Sequence, residues 1–154
     1  GTEVKLPEFP LSEYTPGGTT KLIEDILKDL GKDIRLARDG TNRWEVKEGS
    51  AKIRINYNTE TFFITGDAYL CQLPPGGQQI KTLYQYLLEQ NNDAIDGLVL
   101  SCVNQNVVLS GVIYDLDITK ESGTKLFQNL FKKADEYDNI LINQFGCLPR
   151  LQES

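Results

Sequence analysis

Between Thr19 and Gly31 apolar side chains recur every three to four residues, so that Leu22, Ile23, Ile26, Leu27 and Leu30 share one side of a predicted helix. Threonine at its start and Gly31 just past its end supply the start and stop signals. The period then falls to two. In RWEVK, Trp44 and Val46 alternate with Arg43, Glu45 and Lys47, and in AKIRINY, Ile53, Ile55 and Tyr57 alternate with Lys52, Arg54 and Asn56. Both segments are predicted as half-buried strands with their polar sides in water. TFFITGDAYL follows an Asn-Thr-Glu corner as a third strand, and the short turns make the three an antiparallel meander.

Pro74 and Pro75 keep CQLPPGG in a loop, after which Ile80, Leu83, Tyr84, Leu87 and Leu88 mark the apolar stripe of a second helix, with Tyr86 outside it. GLVLSCVNQNVVLSGVIYDLDI, residues 97–118, then forms a predicted hairpin around Asn104-Gln105-Asn106. Here both faces are apolar. Leu98, Leu100 and Cys102 point one way and Val99 and Val103 the other, while Val107, Leu109 and Ile113 oppose Val108, Val112 and Tyr114. A helix from Thr119 or Ser122 closes the chain, its stripe running through Leu126, Phe127, Leu130, Phe131, Ala134 and Leu141. The element order is αβββαββα. The expected class is α+β, a five-stranded mainly antiparallel sheet with three helices packed chiefly on one face. Residues 1–18, with three prolines and scattered apolar residues, are expected as an extended N-terminal arm before a single domain over 19–154. One face of the hairpin therefore needs cover from the arm, a helix or a second chain.

Chemistry narrows the reading mainly by exclusion. The chain contains no histidine, which removes Ser-His-Asp and Cys-His nucleophile arrangements and the commonest neutral-pH base. Its net charge of −6 argues against a nucleic-acid backbone as partner. Basic residues nevertheless concentrate between Lys32 and Arg54, which reads as a solvated polar face. Cys71, Cys102 and Cys147 are odd in number and far apart, as expected of reduced, buried thiols. No apolar run is long enough for a membrane span and the first residues lack the features of a signal peptide, so the expected location is the cytoplasm. The Pro-Gly-Gly turns in TPGGTTK and PPGGQQIKT are helix entries rather than phosphate loops.

The element order, with the helix LYQYLLEQNN, the strand pair GLVLSCVNQNVVLSGVIYDL and the helix TKLFQNLFKKADEYDNIL, resembles the type III secretion chaperones and the related YbjN-like bacterial proteins over residues 19–142. That resemblance implies a secretion-chaperone-like fold and a small, acidic, cytoplasmic homodimer that binds a protein segment and catalyses nothing.

The expected function is accordingly a non-enzymatic, chaperone-like protein-binding module, with no cofactor and no nucleic-acid or membrane partner. Its partner would be a protein segment or a second copy of the chain. Candidate interface residues are Phe63, Tyr86, Val108, Val112 and Tyr114, aromatic or apolar positions off the core stripes. One alternative is a carboxylate-dependent, metal-using enzyme in which Asp67, Asp115 and Asp117 hold a divalent cation. A small-ligand-binding regulatory domain is a second alternative.

Overall fold

The computed structural model describes residues 18–93 and 95–150. The expected arm lies outside the described residues except for Gly18, which already opens the first helix. That helix, α1 (Gly18–Asp29), buries Ile23, Ile26 and Leu27 as its spacing predicts. Gly31 adopts φ 86° just beyond it, a conformation glycine reaches without steric cost. A short helix not foreseen from periodicity, α2 (Ile34–Ala37), follows under the cap of Asp33, whose side chain accepts from the Arg35 N–H. Four residues are too few to show a period.

The meander forms as expected: β1 (Arg43–Glu48), β2 (Ala51–Tyr57) and β3 (Phe63–Gln72) pair antiparallel in sequence. Helix α3 (Gly77–Asn92) leads to the hairpin of β4 (Val99–Val103) and β5 (Asn106–Tyr114). Its corner residues Asn104 and Gln105 have φ of 47° and 70°, the backbone of a two-residue hairpin turn. A 3₁₀ turn over Asp115–Asp117 precedes α4 (Lys120–Phe145), and β6 (Leu148–Pro149) is the last element among the described residues. Thr119 caps α4 through a capping box with Ser122, so the two candidate start residues act together. The sheet order is β1-β2-β3-β5-β4, with β6 pairing beside the end of β3.

Helices α1 to α4 all contribute to one buried cluster on one side of this sheet. It includes Ile23 and Ile26 of α1, Leu83 and Leu87 of α3, and Phe127 and Leu130 of α4. Trp44, Ile53, Ile64, Leu100, Val107 and Leu109 meet them from the strands. The long helix α4 approaches the sheet at a cross-strand glycine pair, Gly66 opposite Gly111. A Cβ on Gly66 would stand 2.7 Å from Leu130 Cδ2, and one on Gly111 2.9 Å from Leu126 Cδ1. Glycine at both positions lets the helix seat at this distance. At the β1 edge, Glu24 of α1 ties the segment after α2 to the sheet by accepting from Trp44 Nε1 at 3.1 Å and Arg38 Nη2 at 2.5 Å.

Two expectations are corrected here. Cys102 is exposed at the end of β4, where the core has tapered off, whereas Cys71 and Cys147 are buried free thiols. The stripe of α3 is rotated from the one expected: Leu83 and Leu87 are buried, but Tyr84 and Leu88 are 42% and 70% exposed, and Tyr86 packs on Phe145 of α4 with ring centroids 4.4 Å apart. An apolar residue alone does not say which side of a helix meets the sheet.

Candidate functional site

Strand alternation places the second apolar set of the hairpin on the side of the sheet opposite the helices. Val99 and Val103 of β4 are 52% and 44% exposed there, and Val112 of β5 is 58% exposed. Register carries the patch onto β3, where Phe63 lies opposite Tyr114 and Thr65 opposite Val112. The Phe63 and Tyr114 rings are tilted against each other at 5.4 Å, an edge-rich aromatic pair with Phe63 largely exposed. Hairpin geometry thus answers what covers the hairpin: helices cover Leu98, Leu100, Val107 and Leu109, while the other face is turned outward.

Moving across the same face toward β1 changes its chemistry from apolar to charged. Arg54 of β2 lies over the Tyr69 ring at 5.2 Å, at the boundary between the halves. Lys52 is buried beside Glu45, with Nζ 2.7 Å from the carboxylate, and Arg43 and Lys47 stand exposed on β1. The basic residues noticed along the sequence between Lys32 and Arg54 therefore gather in part on one half of the outer face. Between the halves, Asp67 accepts from Ser110 Oγ at 2.6 Å.

The five candidate interface residues do not form one group. Phe63, Val112 and Tyr114 come together on the outer face. Val108 shares that face by register, opposite Tyr69, but is only 3% exposed. Tyr86 is on the helix side, and burial against Phe145 pushes its phenol above the usual tyrosine range. Val99 and Val103 share the outer face although they were not singled out, Val99 beside Ser110 and Val103 at the hairpin tip; their alternation with Leu98 and Leu100 was the signal.

The carboxylate alternative loses its geometry. Asp67 sits opposite Ser110, whereas Asp115 follows Tyr114 at the far end of β5, a separation of about 15 Å at the strand rise. Asp115 is buried and bonded to the Tyr57 hydroxyl, and Asp117 is exposed in the 3₁₀ turn. Among the described residues, no group of three or more His, Cys, Asp or Glu side chains is placed to hold a metal ion. A hollow of about 700 Å³ runs along α3 beside Lys81, Gln85, Leu88, Glu89, Asn92 and Asp93. It is an open surface hollow whose lining residues are all exposed, unlike the enclosed sites that bury a small ligand.

No protein-family model and no curated protein sequence matches the chain. Solved structures do. The ExsC–ExsE complex matches with a TM-score of 0.61 and 16% identity over 79% of this chain and 91% of the other. YbjN from E. coli matches at 0.59 and 13% over 84% and 94%. The Yersinia pestis type III secretion chaperone SycH, solved with a stable fragment of YscM2, matches at 0.54 and 14% over 77% and 98%. The chain has the fold of the secretion chaperones and YbjN. At these identities the likeness establishes the architecture alone. Among the described residues, no helix is long and apolar enough to cross a membrane.

Proposed function

We propose that this protein is a non-enzymatic, chaperone-like module that binds a segment of another protein on the outer face of its sheet and works as a homodimer in the cytoplasm. The observation that carries the reading is the outer-face patch of exposed Phe63 and Val112 with half-buried Tyr114, continuous by register with a basic half at Arg43, Lys47 and Arg54. Contiguous apolar surface rimmed by polar residues is characteristic of protein interaction sites. An extended segment with apolar side chains toward one end and acidic ones toward the other fits both halves. SycH, with the same fold, is solved with a protein fragment bound, which supports the reading by analogy.

The test pairs capture with mass. Tagged wild-type protein is expected to retain a defined partner in its native cell, identified by mass spectrometry, and Val112→Asp and Phe63→Asp are expected to lose that partner while remaining folded. Retention should weaken as salt rises, because the basic half contributes through screened charges. Light scattering should give twice the 17.3 kDa chain mass. Equal capture by wild type and both variants would remove the outer face from the proposal, and a strictly monomeric protein would remove the homodimer.

A further inference from the structure

Each edge of an open sheet presents backbone N–H and C=O groups that a foreign strand could pair with, and natural sheets block or cover them. On β4, the outer edge strand next to β5, one helix side chain does this work. Asn91 accepts from the Leu100 N–H at 2.7 Å through Oδ1 and donates to the Leu100 carbonyl at 2.9 Å through Nδ2. A side-chain amide with one donor and one acceptor thus occupies both groups that a neighbouring strand would use at this position. Strand alternation gives Leu98, Leu100 and Cys102 the same edge-facing backbone side. The Leu98 N–H is taken by the Ile95 carbonyl at 2.8 Å, across a turn in which Asp96 and Gly97 adopt positive φ. Two of the three edge-facing positions are therefore engaged within the chain.

The helix explains why asparagine stands there. Leu83, Leu87 and Asn91 follow each other at intervals of four along α3, one above the next on the same face. The first two are buried in the core. The third is carried past the core to the strand edge, where an apolar side chain would leave two backbone groups unanswered and an amide answers both. The β1 edge is also engaged near its ends: the Arg43 carbonyl accepts from the Asp39 N–H at 2.9 Å, and the Lys47 carbonyl from Lys32 Nζ at 3.4 Å.

We infer that Asn91 is an edge guard that closes β4 to strand addition by a second copy of this chain, so that protein partners are met by the outer face rather than by extension of the sheet. The inference rests on the proposed protein-binding role only for its last clause; the guarding itself concerns the chain alone.

The decisive variant is Asn91→Ala in the full chain. Hydrogen exchange at the Leu100 amide is expected to quicken by on the order of tenfold, the effect of losing one hydrogen bond of about 1.4 kcal/mol. Sedimentation velocity over a concentration series is expected to show assemblies above the wild-type mass, formed by β4 against β4. Adding Cys102→Pro, which removes an edge-facing N–H, should suppress these assemblies. Should Asn91→Ala fail to fold, Asn91→Leu, of similar volume but with neither donor nor acceptor, takes its place and is expected to quicken Leu100 exchange and to associate in the same way. Unchanged Leu100 exchange in the folded variant, or a mass equal to wild type throughout the series, would overturn the inference. Loss of partner capture in Val112→Asp leaves these readouts untouched, so the two proposals fail separately.

Discussion

Glu24 and Asp138 sit in opposite electrostatic settings, and pH separates them. Burial alone would raise the Glu24 carboxyl, but hydrogen bonds from Arg38 and Trp44, with the Arg38 charge, hold it below its ordinary 4.5. Its contribution is full above 4.5 and is lost as pH falls through the lower folded value. Asp138 is pushed above its ordinary 3.8 by burial, despite its bond from the Ser50 hydroxyl. The stability tied to its protonated form is full below 3.8 and is lost as pH rises through the folded value. Glu24→Gln is therefore expected to be less stable than wild type at neutral pH, with the gap closing in acid. Asp138→Asn should be more stable at neutral pH, the gain vanishing below 3.8. Urea midpoints across pH check both signs. Leu109 and Val112, three residues apart on β5, test the two faces of the hairpin. A carboxylate at the fully buried Leu109 should cost more than about 4 kcal/mol, and one at Val112 under about 1 kcal/mol, in the same urea assay.

At the scale of elements, the contact of α4 with the sheet depends on what is missing from β3 and β5. Gly66 and Gly111 lie opposite each other under Leu130 and Leu126, so an added methyl on either must displace a packed leucine. Gly111→Ala is expected to lower stability by about 1–3 kcal/mol through overpacking. Gly77, at the start of α3, is the contrasting case, since a methyl added there would meet nothing within 4 Å. Gly77→Ala should raise stability by about 0.4–1 kcal/mol by restricting the unfolded chain. Thermal and urea unfolding of the pair would reveal whether the close approach, rather than glycine in general, matters. Both strand glycines were visible in ITGDA and LSGVI, and glycine within a strand pattern is a known sign of close approach. Which element approaches is absent from any local pattern, because Leu126 and Leu130 lie on the following helix.

For the whole molecule, the three cysteines report how the core is distributed around one end of the sheet. Cys71 and Cys147 are buried, and the hydrogen bond that the Cys71 thiol donates to Cys147, together with burial, pushes the Cys71 thiol up. Cys102 alone is exposed, its thiol also raised by partial burial. A thiol reagent at neutral pH should therefore modify one cysteine per native chain, slowly, and all three after unfolding. Rapid modification of two or three native thiols would show that this end of the core opens readily. The expectation of three uniformly buried cysteines treated neighbouring apolar residues as evidence of burial; Cys102 shows that a strand can be apolar in sequence while its last turn of alternation runs beyond the helices.

Local patterns alone determined the order of the main elements, the antiparallel meander, the inward sides of β1 and β2 and the stripe of α4, because periods of two and 3.6 reflect which side of an element meets a core. They also showed that the hairpin has two apolar faces. Tertiary structure decided which of those faces the helices cover, and so which valines remain outside. It rotated α3 so that Tyr86 turns inward and Leu88 outward, and it brought Phe63 to Tyr114 while separating Asp67 from Asp115. Asn91 makes the division plain. On the helix it is one polar residue at the end of an apolar stripe; only the position of β4 beside that helix makes its amide the partner of a strand edge.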